Sequence, residues 1–180
     1  SAAHRARPQA AIAKQPEASL DKLKVKEDDV FLVVEQIEKP GNLGTLLRGC
    51  DATGVAGIIV CDPVTDIFNP NVVRASTGAL FSTPVAVSLS SEDAIDWLNK
   101  NKVKIFSTTP HTENIYWKAD FNTGGPIAIV AGAEQYGLSD IWLKESDELV
   151  KLPMQGSADS LNISVSSIVC LYEVLRQRGS

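Results

Sequence analysis

Val30-Phe31-Leu32-Val33-Val34, the turn Pro40-Gly41, a helical stretch from Asn42 to Thr53 closed by Gly54, and Gly57-Ile58-Ile59-Val60-Cys61 decide the fold class. Both strand-like runs are continuously apolar rather than alternating. A strand of that kind must be covered on both faces, as in a parallel sheet. Between them, Leu43, Leu46, Leu47 and Cys50 recur at helical spacing on one side. Gly54 supplies the left-handed stop that ends many helices. The unit is strand, helix, strand, and a parallel pair needs such a crossover.

Working outward, the alternation continues. Asp62-Pro63 and Asn69-Pro70 mark a loop, and Val72 to Thr77 reads as a short helix before Gly78. Pro84 to Ser88 is a short strand. Ser91 is expected to cap a helix from Glu92 to Asn101, with acidic residues in its first turn. Val103 to Ser107 and Pro126 to Ala131 are further buried strands, separated by a polar loop. Ser139 is expected to cap a short helix reaching Lys144, and Leu149 to Leu152 forms the last strand. The closing helix is expected to start at Ser160. Leu161, Val165, Ile168, Tyr172 and Leu175 share one face, and further apolar positions predict burial on most sides. The fold class is therefore α/β, a mostly parallel sheet with helices on both faces.

Composition narrows the function. At 180 residues the chain is one domain with a tail. A domain of that size buries roughly 70% of its unfolded surface. No apolar run approaches the roughly 20 residues of a membrane span, and there is no signal-peptide pattern. Cys50, Cys61 and Cys170, an odd number set among apolar neighbours, read as reduced core thiols of a cytosol-like compartment, cytoplasmic or organellar. With only His4 and His111, and no paired cysteine motif, no metal site is expected. The net charge is −5. Arg5, Arg7, Lys14, Lys22, Lys24 and Lys26 make the first segment basic, so the remainder is acidic. Residues 1–28, rich in Ala, Pro, Gln and Lys without a sustained period, read as a flexible basic arm or linker before a domain over 29–180. An acidic body argues against indiscriminate nucleic-acid binding.

Parallel sheets bind ligands beyond the carboxyl ends of their strands. Three stretches stand there. Asn42-Leu43-Gly44-Thr45-Leu46-Leu47-Arg48 follows the first strand. Asn42 is placed to cap the helix, and Arg48 offers a planar fork suited to phosphate. Alone, these residues read best as a cap and a surface arginine. Gly132-Ala133-Glu134 with Gly137-Leu138-Ser139 follows a buried strand, and its glycines permit close backbone approach. Glu134 occupies the position of the second glycine of a dinucleotide loop, where a carboxylate repels pyrophosphate. It suits an uncharged or cationic ligand, or a role in holding the loop. Last, Leu152-Pro153-Met154 leads through Gly156 to Ser160-Leu161-Asn162. Apolar side chains here adjoin free backbone groups able to read a flat heterocycle.

In this order and spacing the three stretches resemble the three motifs of the SpoU (TrmH) family, S-adenosylmethionine-dependent RNA ribose 2′-O-methyltransferases of the SPOUT superfamily. Arg74-Ala75-Ser76-Thr77-Gly78-Ala79 resembles the family's middle segment, and the likeness spans Phe31 to Arg178. The resemblance implies a SPOUT fold with a C-terminal trefoil knot, a homodimer with its active site near the subunit interface, and rRNA or tRNA as substrate. It implies that Gly132, Leu152 and Leu161 hold S-adenosyl-L-methionine, with Met154 lining the pocket and Thr108 and Thr109 bordering it. Asn42, Arg48, Glu134, Ser160 and Asn162 match the family's functional polar positions. Arg48 is expected to anchor a phosphate or act as base, and the anchoring role is favoured because a guanidinium does not release its proton. Many members of the family carry an N-terminal RNA-binding domain of about a hundred residues, so either the chain is a catalytic part or its arm and dimer surface choose the RNA, and the acidic body favours the first. Two other readings stand beside this one: an inactive RNA-binding or interaction module of the same fold, and a nucleotide-dependent oxidoreductase. The intact polar set speaks against the first and the missing glycine against the second.

Overall fold

The computed structural model describes residues 14–133 and 135–179. Six strands form one fully parallel sheet: β1 (Val30–Glu35), β2 (Gly57–Cys61), β3 (Val85–Ser88), β4 (Lys104–Thr108), β5 (Ile127–Ala131) and β6 (Glu148–Val150). Their spatial order is β3-β2-β1-β5-β4-β6. The connecting helices are α1 (Pro40–Thr53), α2 (Pro70–Ser76), α3 (Ala79–Ser82), α4 (Ser91–Lys100), α5 (Asp140–Glu145) and α6 (Ile163–Arg178).

The apolar runs are covered on both faces, as their continuity requires. Along β1, Leu32 and Val34 enter one core with Leu43, Leu46, Leu47 and Val174. Phe31 and Val33 enter the other with Ile95, Leu98 and Trp142. The α/β class with helices on both faces is therefore borne out. Strand order runs outward in both directions from the β1–β5 pair, where Val34 lies beside Ala131. Such a switch point opens a crevice beyond the carboxyl ends of the strands.

Several boundaries differ from expectation. Helix α1 starts at Pro40, whose ring pre-sets the first helical φ, and Lys39 precedes it without a side-chain cap. Asn42 lies inside the first turn and does not cap. Ser90, not Ser91, caps α4 by accepting from the Asp93 amide at 3.1 Å, because Ser90 keeps extended backbone while Ser91 is already helical and buried. Ser139 precedes α5 but makes no side-chain cap bond. Helix α6 begins at Ile163 rather than Ser160, since the Asn162 carbonyl Oδ1 caps the Ser164 amide at 2.9 Å. The face of α6 expected inside is largely outside. Val165 is 47% exposed and Tyr172 53%, while Ile163, Ser167, Cys170, Leu171 and Val174 are buried. The last strand ends at Val150.

Part of the segment before Asp29 is packed on the body. Leu23 is buried against the second core, and the Val87 amide donates to the Ala18 carbonyl at 3.0 Å. The part of the arm before Lys14 lies outside the described residues.

Candidate active site

Strand β5 delivers Gly132 to the switch point, and the chain then turns on itself. The Gly137 amide donates to the Ala133 carbonyl at 2.9 Å. Gly137 takes φ +70, a left-handed conformation that favours glycine. A Cβ on Gly132 would stand 2.2 Å from the Gly137 carbonyl carbon, so no side chain fits there. On one side β4 ends in Thr108, and Thr109 follows it. The Thr108 hydroxyl donates to the Val130 carbonyl at 3.0 Å, and the Thr109 amide donates to the Val150 carbonyl at 2.9 Å. Opposite them the chain leaves β6 through Leu152 and Met154, then returns through Ser160 and Leu161 toward α6.

These segments enclose a cavity of about 370 Å³, within the size range of small-molecule sites. All six residues expected to hold a cofactor line it: Thr108, Thr109, Gly132, Leu152, Met154 and Leu161. Ser160 lines it as well. Leu138, Leu143 and Ile163 enlarge its apolar wall, and His111, Tyr136 and Asp159 stand at its polar side. Sequence reasoning assigned no ligand-binding role to these last six, although Leu138 stands in the second motif. Pro110 and His111 could have been found by the same rule that found Thr108, since they directly follow a strand end.

Of the remaining polar residues, Asn42 and Asn162 form a second group beside the cavity. The Asn162 Nδ2 donates to Asn42 Oδ1 at 3.1 Å, and the Ser164 hydroxyl donates to the Asn42 carbonyl at 3.0 Å. The starts of α1 and α6 are thus joined through these two asparagines. A small hollow at Asn42 shares Ala133 and Ile163 with the cavity, so the two groups adjoin. Arg48 is not part of either. It is exposed on α1, off the cavity wall, and forms no ion pair among the described residues. Glu134 lies outside the described residues.

Burial raises the Cys50 and Cys170 thiols to about 12 and pushes Cys61 higher still, as core thiols require. Among the described residues there is no cluster of three or more His, Cys, Asp or Glu side chains that could hold a metal ion, and no helix is long and apolar enough to cross a membrane.

The SpoU rRNA methylase family model matches residues 29–172. The chain belongs to this family. Among its relatives, a 23S rRNA (uridine(2479)-2'-O)-methyltransferase of Streptomyces viridochromogenes is 34% identical over 175 residues, covering 94% of this chain and 60% of the relative. The 23S rRNA (guanosine-2'-O-)-methyltransferase RlmB of Coxiella burnetii is 36% identical, covering 89% and 64%. The crystal structure of the SpoU methyltransferase AviRb from S. viridochromogenes in complex with the cofactor AdoMet superposes with a TM-score of 0.86 at 34% identity, over 92% of this chain and 66% of that one. An AdoMet-bound rRNA methyltransferase from Sinorhizobium meliloti gives 0.86 at 32% identity, over 91% and 62%. The chain spans about three fifths of the length of these curated relatives. The SpoU match covers all three motif stretches and the six-stranded sheet that brings two of them to one cavity.

Proposed function

We propose that the chain is the methyl-transferring part of an S-adenosylmethionine-dependent ribose 2′-O-methyltransferase acting on ribosomal RNA in the cytoplasm. The observation that carries this reading is convergence. Thr108 and Thr109, Gly132, and Leu152 with Met154 and Leu161 come from three separated stretches and line one cavity at the switch point. SpoU family membership and the AdoMet-bound neighbours support it.

The residues present fit the cofactor. Gly132 lets the loop close tightly on Gly137, and both glycines line the cavity, where their backbone groups can meet a heterocycle, while Leu152, Met154 and Leu161 offer it apolar faces. When bound, adenosylmethionine supplies an activated sulfonium methyl group. The chain's own task is then alignment and charge placement around a weak ribose nucleophile. The Thr108 hydroxyl is spent on the Val130 carbonyl, so it shapes the wall rather than reading the ligand. Ser160, on the wall and exposed, is free to bond the target hydroxyl or the cofactor. Asn42 and Asn162 hold the edge nearest α1. Arg48 is exposed and off the cavity wall, and its planar fork of donors suits a phosphate of the bound RNA better than a proton-accepting role. Glu134 would order the loop between Gly132 and Gly137. The reading includes a homodimer, supported by the exposed Leu161, Val165 and Tyr172 on and just before α6. Sedimentation of the purified chain at a mass near twice 19.3 kDa is expected.

Two measurements test the proposal. Titration calorimetry with adenosylmethionine, its demethylated product, NAD and ATP is expected to show binding of the first two alone. Transfer of labelled methyl groups to 23S rRNA is expected to fall by about a hundredfold in Arg48→Ala, the scale for loss of one well-placed charged donor, with cofactor affinity unchanged. Wild-type transfer by Arg48→Ala would remove that residue from the mechanism.

A further inference from the structure

Glu35 closes β1 at the switch point and is almost wholly buried, at 2% exposure. A buried carboxyl group needs partners for both oxygens. Its partners come from a segment more than a hundred residues away. Oε2 accepts from the Ser139 amide at 2.8 Å, and Oε1 accepts from the Ser139 hydroxyl at 2.5 Å. Ser91 Oγ stands 3.1 Å from the same Oε1 and donates to Asp62 Oδ2 at 2.7 Å. The Trp142 indole N–H in turn donates to Ser91 Oγ at 2.9 Å. Ser139 and Trp142 are thus both tied down, at the end of the cavity loop and in the first turn of α5. The cavity-lining residues Leu138 and Leu143 sit directly beside these two anchors. The backbone bends sharply next to the cluster: Gln36 takes φ 51 and Asp62 φ 45, both left-handed without being glycine. That conformation is disfavoured for residues other than glycine and persists where surrounding contacts impose it.

We propose that Glu35 is a positioning residue for the methyl-donor site. It holds the far end of the loop that starts at Gly132, while β5 holds the near end. The loop between them carries Gly132, Gly137 and Leu138, and among its described residues an internal bond closes Ala133 to Gly137. With Ser139 released, the loop keeps that turn but loses its fixed relation to Thr108 and Leu152 across the cavity. Glu35 touches neither cofactor nor substrate, and its effect passes through Ser139. This inference rests on the adenosylmethionine reading above.

The test uses the full 180-residue chain and adenosylmethionine as the probe. Wild-type binding is measured first; if it is absent, the functional reading falls and this inference with it. Glu35→Gln keeps shape but replaces the carboxylate that accepts both Ser139 bonds by a neutral amide with a single acceptor oxygen, so the charge-assisted anchoring is lost. The expected result is an adenosylmethionine Kd raised about tenfold, a fraction of what gross misplacement of a site costs. Hydrogen exchange at the Gly137 and Leu138 amides is expected to accelerate while β1 and β5 stay protected. A lowered Tm with unchanged Kd and unchanged loop exchange would reduce Glu35 to a packing residue and overturn the proposal. If Glu35→Gln does not fold, Ser139→Ala decides. It removes only the hydroxyl donor and is expected to raise the Kd about threefold, a partial loss of the same anchoring; an unchanged Kd there overturns the proposal as well.

Discussion

Gly132 shows how a single absent side chain can define a site. Its missing Cβ would lie 2.2 Å from the Gly137 carbonyl carbon and 2.4 Å from the Leu138 nitrogen, both backbone atoms that cannot rotate away. Gly132→Ala must therefore open the loop. We expect it to weaken adenosylmethionine binding by at least about a hundredfold, read by calorimetry, while the sheet signal in circular dichroism stays. Binding within twofold of wild type would show that the loop's shape is irrelevant to the cavity. From the sequence, Gly132 was legible as a position either of close approach to a ligand or of a tight turn. The structure shows its close partner to be the chain's own returning loop. Glu35 was not legible at all. A carboxylate ending an apolar strand signals only that the strand has ended, and its partner at Ser139 lies too far along the chain for any local pattern.

At the scale of elements, the Asn42-to-Arg48 stretch is as much a packing device as a chemical one. A Cβ on Gly44 would stand 2.4 Å from Ala75 Cβ and 2.9 Å from the backbone of Ala75 and Ser76. Helices α1 and α2 touch through that gap. Gly44→Ala pushes them apart and is expected to cost about 1–3 kcal/mol, the usual penalty for overpacking, measured by urea unfolding. On the other side of α1, Asn162 both caps α6 and bonds Asn42. Asn162→Ala is expected to lose about 1 kcal/mol of stability for the cap, and a loss below a few tenths would mean the cap is solvated at no cost. The apolar stripe of α6 was read at the correct spacing, but burial on most sides was expected and this face is largely exposed. Periodicity reports that a stripe exists, not what covers it. Leu161, Val165 and Tyr172 remain exposed because the sheet is already covered by Ile163, Cys170, Leu171 and Val174. Strand continuity was the stronger signal, since a strand buried on both faces has few alternatives.

Across the whole molecule, the two cores on opposite faces of the sheet hold the three thiols, and these link packing to pH. Cys50 and Cys170 belong to one core and Cys61 to the other. Burial raises Cys50 and Cys170 to about 12, against roughly 8.5 for an unfolded thiol. Burial raises Cys61 further, helped by the neighbouring charges of Asp62 and then Glu35. A group whose folded pKa is raised contributes fully below its unfolded value. Above about pH 8.5 the unfolded chain releases the proton while the folded chain keeps it, so stability falls as pH rises toward 12. Each thiol steepens that fall by up to about 1.4 kcal/mol per pH unit. Lysines and tyrosines titrate in the same window, so the slope of a single curve does not isolate the cysteines. Comparison of wild type with Cys170→Ala does. The alanine variant carries a constant packing loss, yet its unfolding free energy between pH 9 and pH 10 should decline less steeply, by about 1 kcal/mol. In the native protein all three thiols should stay silent to a thiol reagent at pH 8 until denaturant is added. Parallel pH curves for the two proteins, or prompt labelling of Cys170 in the folded state, would mean that α6 opens to water far more readily than its packing against α1 and the sheet implies.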